Sequence, residues 1–193
     1  MYFENLSNIL KEETKEDYAI NKFTISKNNI RAMLEGIPQG EYVTLTYKGE
    51  VVMSNTPMEK RTNAYFVQHA HGDILIAGLG IGLIVLAIQN KKEVKSITVI
   101  EKSSDVIDLV AKQLPLNSKV KIINADIFKW KCEKNKYDVI YLDIWNYINS
   151  DVYEKEMKPL KERCKDYLKS KSESPSRFIK CWAEYEAKNN IRL

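Results

Sequence analysis

Gly78-Leu79-Gly80-Ile81-Gly82 sets glycines at alternate positions directly after the apolar run Asp73-Ile74-Leu75-Ile76-Ala77. That spacing lets a backbone turn sharply and come close to a ligand, with free N–H groups behind it where a helix begins. A dinucleotide-type G-x-G-x-x-G needs its third glycine at position 83, which is Leu83, so a nicotinamide fingerprint is incomplete. Glu101 closes the next run, Ser96-Ile97-Thr98-Val99-Ile100, and an acid there can accept both hydroxyls of a ribose. Asp126 follows a third run in Asn124-Ala125-Asp126-Ile127, where its carboxylate can accept from the exocyclic amine of adenine between the apolar walls of Ala125 and Ile127. Asp143 closes the fourth run, Tyr137 to Leu142; a carboxylate in that place can orient a substrate amine or the amino end of a donor. Each feature has a plain structural alternative: a tight turn holding nothing, a solvated strand-end glutamate, an aspartate capping a short helix. Their conjunction at four successive run ends carries more than any one of them.

The elements that must position these residues are strands alternating with helices. Leu83 to Asn90 is apolar almost all round, as a helix packed under a sheet should be, and Ser104 to Leu114 carries one apolar face before Pro115 stops it. Strands separated by helices of about ten residues mean βαβ units, a parallel sheet and a doubly wound α/β fold. Ligands in such folds bind outside the carboxyl ends of the strands, where strand order reverses. Upstream, Tyr42–Tyr47 and Glu50–Met53 flank Lys48-Gly49 as a hairpin. Thr56-Pro57-Met58-Glu59 reads as a capping box opening a helix from Pro57 to Ala70. Residues 1–35, polar and rich in Lys, Glu and Asn, accommodate one or two short helices. After Asp151 only helical spacing is visible, over 151–170 and again from Ser176 to Asn190, around a polar linker at 170–175. The expected organisation is therefore 1–55 as a helical segment plus β-hairpin, 56–150 as the binding core, and 151–193 as a helical extension.

Composition narrows the class. The 193 residues are 44% hydrophobic and 29% charged, with 7 Gly and 5 Pro, which leaves out collagen-like and Pro-rich disordered chains. A formal charge of +4 from interspersed charges nominates no nucleic-acid partner. The 3 cysteines, Cys132, Cys164 and Cys181, show no C-x-x-C spacing and an odd count, and read as reduced thiols of a cytoplasmic protein. The N-terminal Met-Tyr-Phe-Glu-Asn has no basic flank or apolar stretch of a signal peptide, and the glycine-broken run from Ile74 to Ile88 is too short to span a bilayer. His69 and His71, two apart, are not a helical metal pair; a helix-end role suits them. Trp145 and Tyr147 read as packing residues, and Trp182 with Tyr185 as a docking stripe against the sheet or a second subunit.

Residues 73–147 resemble the nucleotide-binding core of class I S-adenosylmethionine-dependent methyltransferases, in the flavour of the spermidine-synthase-like branch. The resemblance lies in Asp73-Ile-Leu-Ile-Ala-Gly-Leu-Gly-Ile-Gly82, Ile97-Thr-Val-Ile-Glu101, Val120-Lys-Ile-Ile-Asn-Ala-Asp126 and Lys136-Tyr-Asp-Val-Ile-Tyr-Leu-Asp143. It implies S-adenosylmethionine as cofactor. The implied binding set is Gly78, Leu79, Gly80, Gly82, Glu101, Lys102, Ala125, Asp126, Ile127 and Asp143, with Glu101 on the ribose, Asp126 and Ile127 on the adenine, and Asp143 also catalytic. Three departures stand out. Ile81 replaces the acid that holds the donor's amino end in aminopropyltransferases. Asp143-Ile-Trp-Asn-Tyr147 lacks that branch's serine and proline. The sheet reads as truncated after its fourth strand. The expected activity is methyl transfer to an unidentified acceptor. The alternatives are a non-catalytic nucleoside-binding module acting through assembly, or a divergent aminopropyltransferase. A homo-oligomer through the C-terminal helices is the expected assembly, with no membrane partner.

Overall fold

The computed structural model describes residues 3–193; Met1 and Tyr2, the first two residues of the N-terminal reading, lie outside the described residues. In chain order the elements are β1 (Glu13–Lys15), β2 (Tyr18–Ile25), α1 (Ile30–Leu34), β3 (Gly40–Tyr47), β4 (Glu50–Ser54), α2 (Pro57–Thr62), α3 (Ala64–His69) and β5 (Gly72–Ala77). There follow α4 (Leu83–Gln89), β6 (Val94–Glu101), α5 (Ser104–Val110), β7 (Val120–Asn124), β8 (Val139–Leu142) and α6 (Ser150–Val152). A π-helical turn (Tyr153–Met157) leads into α7 (Lys158–Cys164), then β9 (Phe178–Cys181) and α8 (Glu184–Lys188).

β5 to β9 form one parallel sheet in the order β7-β6-β5-β8-β9. Side chains of β5 alternate between its faces: Ile74 and Ile76 enter one apolar cluster with α4 and α5, while Leu75 and Ala77 enter another with α6 and α7. Burial on both sides explains why the strand is continuously apolar. The same double cover makes α4 buried from Leu83 to Ile88, apart from the half-buried Ala87. Chain order reverses between β5 and β8, so the crevice of a doubly wound sheet must open at their carboxyl ends.

Three sequence expectations change. The sheet does not stop at its fourth strand: Phe178–Cys181, read as helix, is a fifth strand paired in parallel register with β8. Four residues are too short to show a period, and an available strand edge outweighs local helical spacing. The N-terminal segment is mainly sheet. Tyr18–Ile25 pairs residue for residue with β3, turning the expected hairpin into a four-stranded antiparallel sheet with β1 and β4. Finally, the helix expected from Pro57 to Ala70 breaks at Asn63. Asn63 is fully buried; its amide donates to the Glu59 carbonyl at 3.0 Å, and the Tyr141 hydroxyl donates to its Oδ1 at 2.8 Å. The capping box fails with it: Thr56 makes no side-chain cap and pairs with the Ser54 hydroxyl at 2.9 Å.

At the opposite end of the sheet from the crevice, Lys169 Nζ donates to Asp73 at 2.8 Å and to Asp138 at 2.7 Å, tying the start of β5 to β8. Burial works against both carboxylate charges, but Lys169 heads the groups that hold them below the ordinary carboxylate range. Lys169→Met leaves two facing acids without their cation and should cost about 2–3 kcal/mol at pH 7, somewhat less than for a fully buried pair. Folded-state values lie below the unfolded ones, so this stabilisation is present above the ordinary carboxylate range and fades on acidification. Urea melts at pH 7 and pH 3 check it; equal wild-type and variant midpoints at pH 7 would remove the clamp.

Candidate functional site

The carboxyl ends of β5, β6, β7 and β8 converge on a cleft of about 370 Å³, within the range of small-molecule sites. Backbone bonds hold the strand ends in place. Gly78 N–H donates to Ile100 at 2.9 Å, Asp143 N–H to Ala77 at 2.8 Å, and Ala125 N–H to Glu101 at 2.9 Å. The turn needs its glycines: Gly78 has φ +95°, and a Cβ there would stand 2.0 Å from the Asp143 carbonyl oxygen.

Of the residues singled out from sequence, Gly78, Gly80, Glu101, Lys102, Ala125, Asp126, Ile127 and Asp143 line this one cleft. Leu79 and Gly82 stand behind the lining. The Leu79 side chain is in the core while its N–H donates to Glu101 at 2.8 Å, and Gly82 is the left-handed residue from which α4 starts. Glu101 takes a second backbone bond, from Ser103 N–H at 2.9 Å, so it buttresses both turns and retains further acceptor lone pairs. Asp126 is both a cap and a cleft residue. Its Oδ1 accepts from Phe128 N–H at 3.0 Å, while its Oδ2 lies 3.7 Å from the exposed Lys102 ammonium. His69 and His71 are elsewhere, bound to the Tyr65 carbonyl at 2.9 Å and the Ser176 hydroxyl at 2.9 Å.

Several lining residues escaped the sequence reading because they come from other elements. The N-terminal sheet roofs the cleft with Tyr18, Leu45, Tyr47, Val52 and Met53. Phe128 adds an aromatic beside Asp126. Arg163 on α7 holds that segment from behind, donating to the carbonyls of Phe128 at 2.6 Å and of Ile127. Trp182, which follows β9, lines the cleft and anchors its indole N–H on Thr62 at 3.0 Å; Tyr185 is exposed. Trp145 is buried as expected, yet it also lines the cleft, its indole N–H donating to Glu156 of the π-helical turn at 2.9 Å. Tyr147 is exposed.

The electrostatics are one-sided. Glu59, Glu101, Asp126, Asp143 and Glu156 line the cleft, against a single lining cation among the described residues, Lys102. Glu59 is 7% exposed, and burial raises its carboxyl to about 7. Asp143 is deep-set: burial first, and the Glu59 charge second, hold it well above the usual carboxylate range. Two acids that resist ionisation together in a chain of net +4 make a site suited to a positively charged occupant.

No protein-family model matches the chain, and no curated protein matches it. Solved structures do. The spermidine synthase of Thermotoga maritima superposes with a TM-score of 0.52 at 16% identity, over 83% of this chain and 52% of that one. A spermidine synthase in complex with the transition-state analogue AdoDATO gives 0.53 at 16% identity, over 82% and 54%. An S-adenosylmethionine-dependent methyltransferase from Mesorhizobium loti matches at 13% identity over 56% and 49%, with a TM-score of 0.43. This chain spans about half the length of these structures. The fold is the Rossmann-like parallel α/β sheet that the two spermidine synthase structures share.

Proposed function

We propose that this protein binds S-adenosylmethionine across the four strand ends and transfers its methyl group to an acceptor that carries, or gains, positive charge. The observation that carries the reading is the cleft itself: a glycine turn and the acids Glu101, Asp126 and Asp143, at four successive strand ends, face one space. The residues suit such a ligand chemically. Glu101 would accept from the ribose hydroxyls, and Asp126 from the adenine amine, between Ala125, Ile127 and Phe128. A sulfonium supplies an activated methyl group, so the protein need only align it with a nucleophile and stabilise charge. Asp143 would orient the acceptor and take up or share its proton, in a cleft where Glu59 and Trp182 limit water.

The same acid pair suits the terminal ammonium of a decarboxylated donor, which keeps aminopropyl transfer as the second reading. Calorimetry with S-adenosylmethionine, its demethylated product and the decarboxylated donor, followed by a labelled-methyl screen over amines, separates the two readings. Preferential heat with the decarboxylated donor would favour aminopropyl transfer, and heat with S-adenosylmethionine without labelled product would favour a binding module. Glu101→Ala removes two charge-assisted acceptors and should weaken nucleoside binding by about 10- to 100-fold. Wild-type protein that gives no heat with any of the three compounds would overturn the proposal.

A further inference from the structure

Met53 on β4 seats its thioether on the glycine turn. The Ile81 N–H donates to Met53 Sδ at 3.4 Å, and a Cβ on Gly80 would stand 2.0 Å from that sulfur. The sheet order β7-β6-β5-β8 lays Asp126, Glu101, the glycine turn and Asp143 in a row. A nucleoside with its base at Asp126 and its ribose at Glu101 therefore extends its 5′ substituent over the turn, into the place Met53 holds. The acids Asp143 and Glu59 beyond the turn could meet the ammonium of such a tail, but among the described residues no lining cation stands at that end to meet its carboxylate. The Ile81 side chain is fully buried, and Lys102 stands at the Asp126 end. A thioether is a weak acceptor on an adaptable, unbranched side chain, so an incoming group can replace it at a modest cost.

We infer that Met53 is a specificity-determining residue: 5′-thionucleosides with a short substituent bind with Met53 in place, whereas those bearing an amino-acid tail must displace it. The inference rests on the adenosine reading above. It is tested by calorimetry of the full chain with 5′-methylthioadenosine, which has no tail, and S-adenosylhomocysteine, which has one. Removing a side chain that must be displaced removes that penalty from the apparent affinity, so Met53→Ala should tighten the tailed compound about fivefold and leave the tailless one within about twofold. Met53→Val, well suited to a strand, should act in the same direction should the alanine variant fold poorly. Met53→Leu, which refills the space, should keep the wild-type ratio of the two affinities. Equal changes for both compounds, or an unmoved ratio in the truncated variants, would overturn the role of Met53 while leaving the adenosine reading intact. No heat with either compound in the wild-type protein would overturn both.

Discussion

Asp143→Ala is expected to lower turnover by a factor of about 10² to 10³, the scale seen when one preorganised polar group at a reacting centre is removed, while donor affinity changes far less. The main chain at this position is held independently of the side chain. Asp143 N–H bonds Ala77, and the Asp143 carbonyl packs against Gly78, so truncation beyond Cβ leaves the strand end in place. The carboxyl itself is costly to the fold, because burial and the neighbouring Glu59 oppose its ionisation. The alanine variant should thus be at least as stable as wild type above neutral pH, and a loss of turnover could not be assigned to unfolding. Asp143→Asn keeps the shape and removes the charge. It should resemble alanine if proton uptake matters, and retain most activity if only orientation does. Labelled-methyl turnover and donor calorimetry on the three proteins make the measurement; undiminished turnover in Asp143→Ala would remove the residue from the mechanism.

The part of this site visible in the sequence is the part built by short-range rules. β5 and β8 are buried on both faces, so their apolar runs are unbroken, and whatever follows each run necessarily stands at the crevice. Gly78 and Asp143 could be found for that reason, and Glu101 and Asp126 because β6 and β7, though partly exposed, still read as β-branched runs. Glu59 could not. Its spacing from Thr56 satisfies a local capping rule, and only the packing of α2 over β8, through Asn63 and Tyr141, turns it toward the cleft. Met53 and Tyr18 are equally hidden: the β3–β4 hairpin is legible but not its seat over the glycine turn, and the pairing of β2 with β3 joins separate segments whose lysines and asparagines interrupt the pattern. Trp182 looked like a docking residue because its strand, Phe178-Ile179-Lys180-Cys181, is too short to announce itself. It does dock, on Thr62, and that docking brings it to the cleft wall.

Glu59→Gln should stabilise the free protein above neutral pH and weaken its hold on a cationic ligand, two effects with one origin. The glutamate carboxyl, ordinarily near 4.5, is raised by burial to about 7 in the folded protein. The native state therefore keeps a proton that the unfolded chain releases over that interval. By linkage, the stability this group contributes is complete below about pH 4.5 and is lost as pH rises through about 7. At about 1.4 kcal/mol per unit, the loss approaches about 3 kcal/mol by pH 8. Glutamine cannot ionise, so the variant should lack this component of the decline, and urea midpoints at pH 5 and pH 8 should lie closer together than in wild type. A buried carboxylate that strains the free fold is retained where an arriving cation restores its charge. Binding a cationic ligand near pH 6.5 should accordingly release protons from wild type, detected by calorimetry in buffers of different ionisation enthalpy, and release fewer from Glu59→Gln. Superposable pH dependences of stability in the two proteins would show that Glu59 does not hold this proton, and the acid pair would then no longer favour a positively charged acceptor.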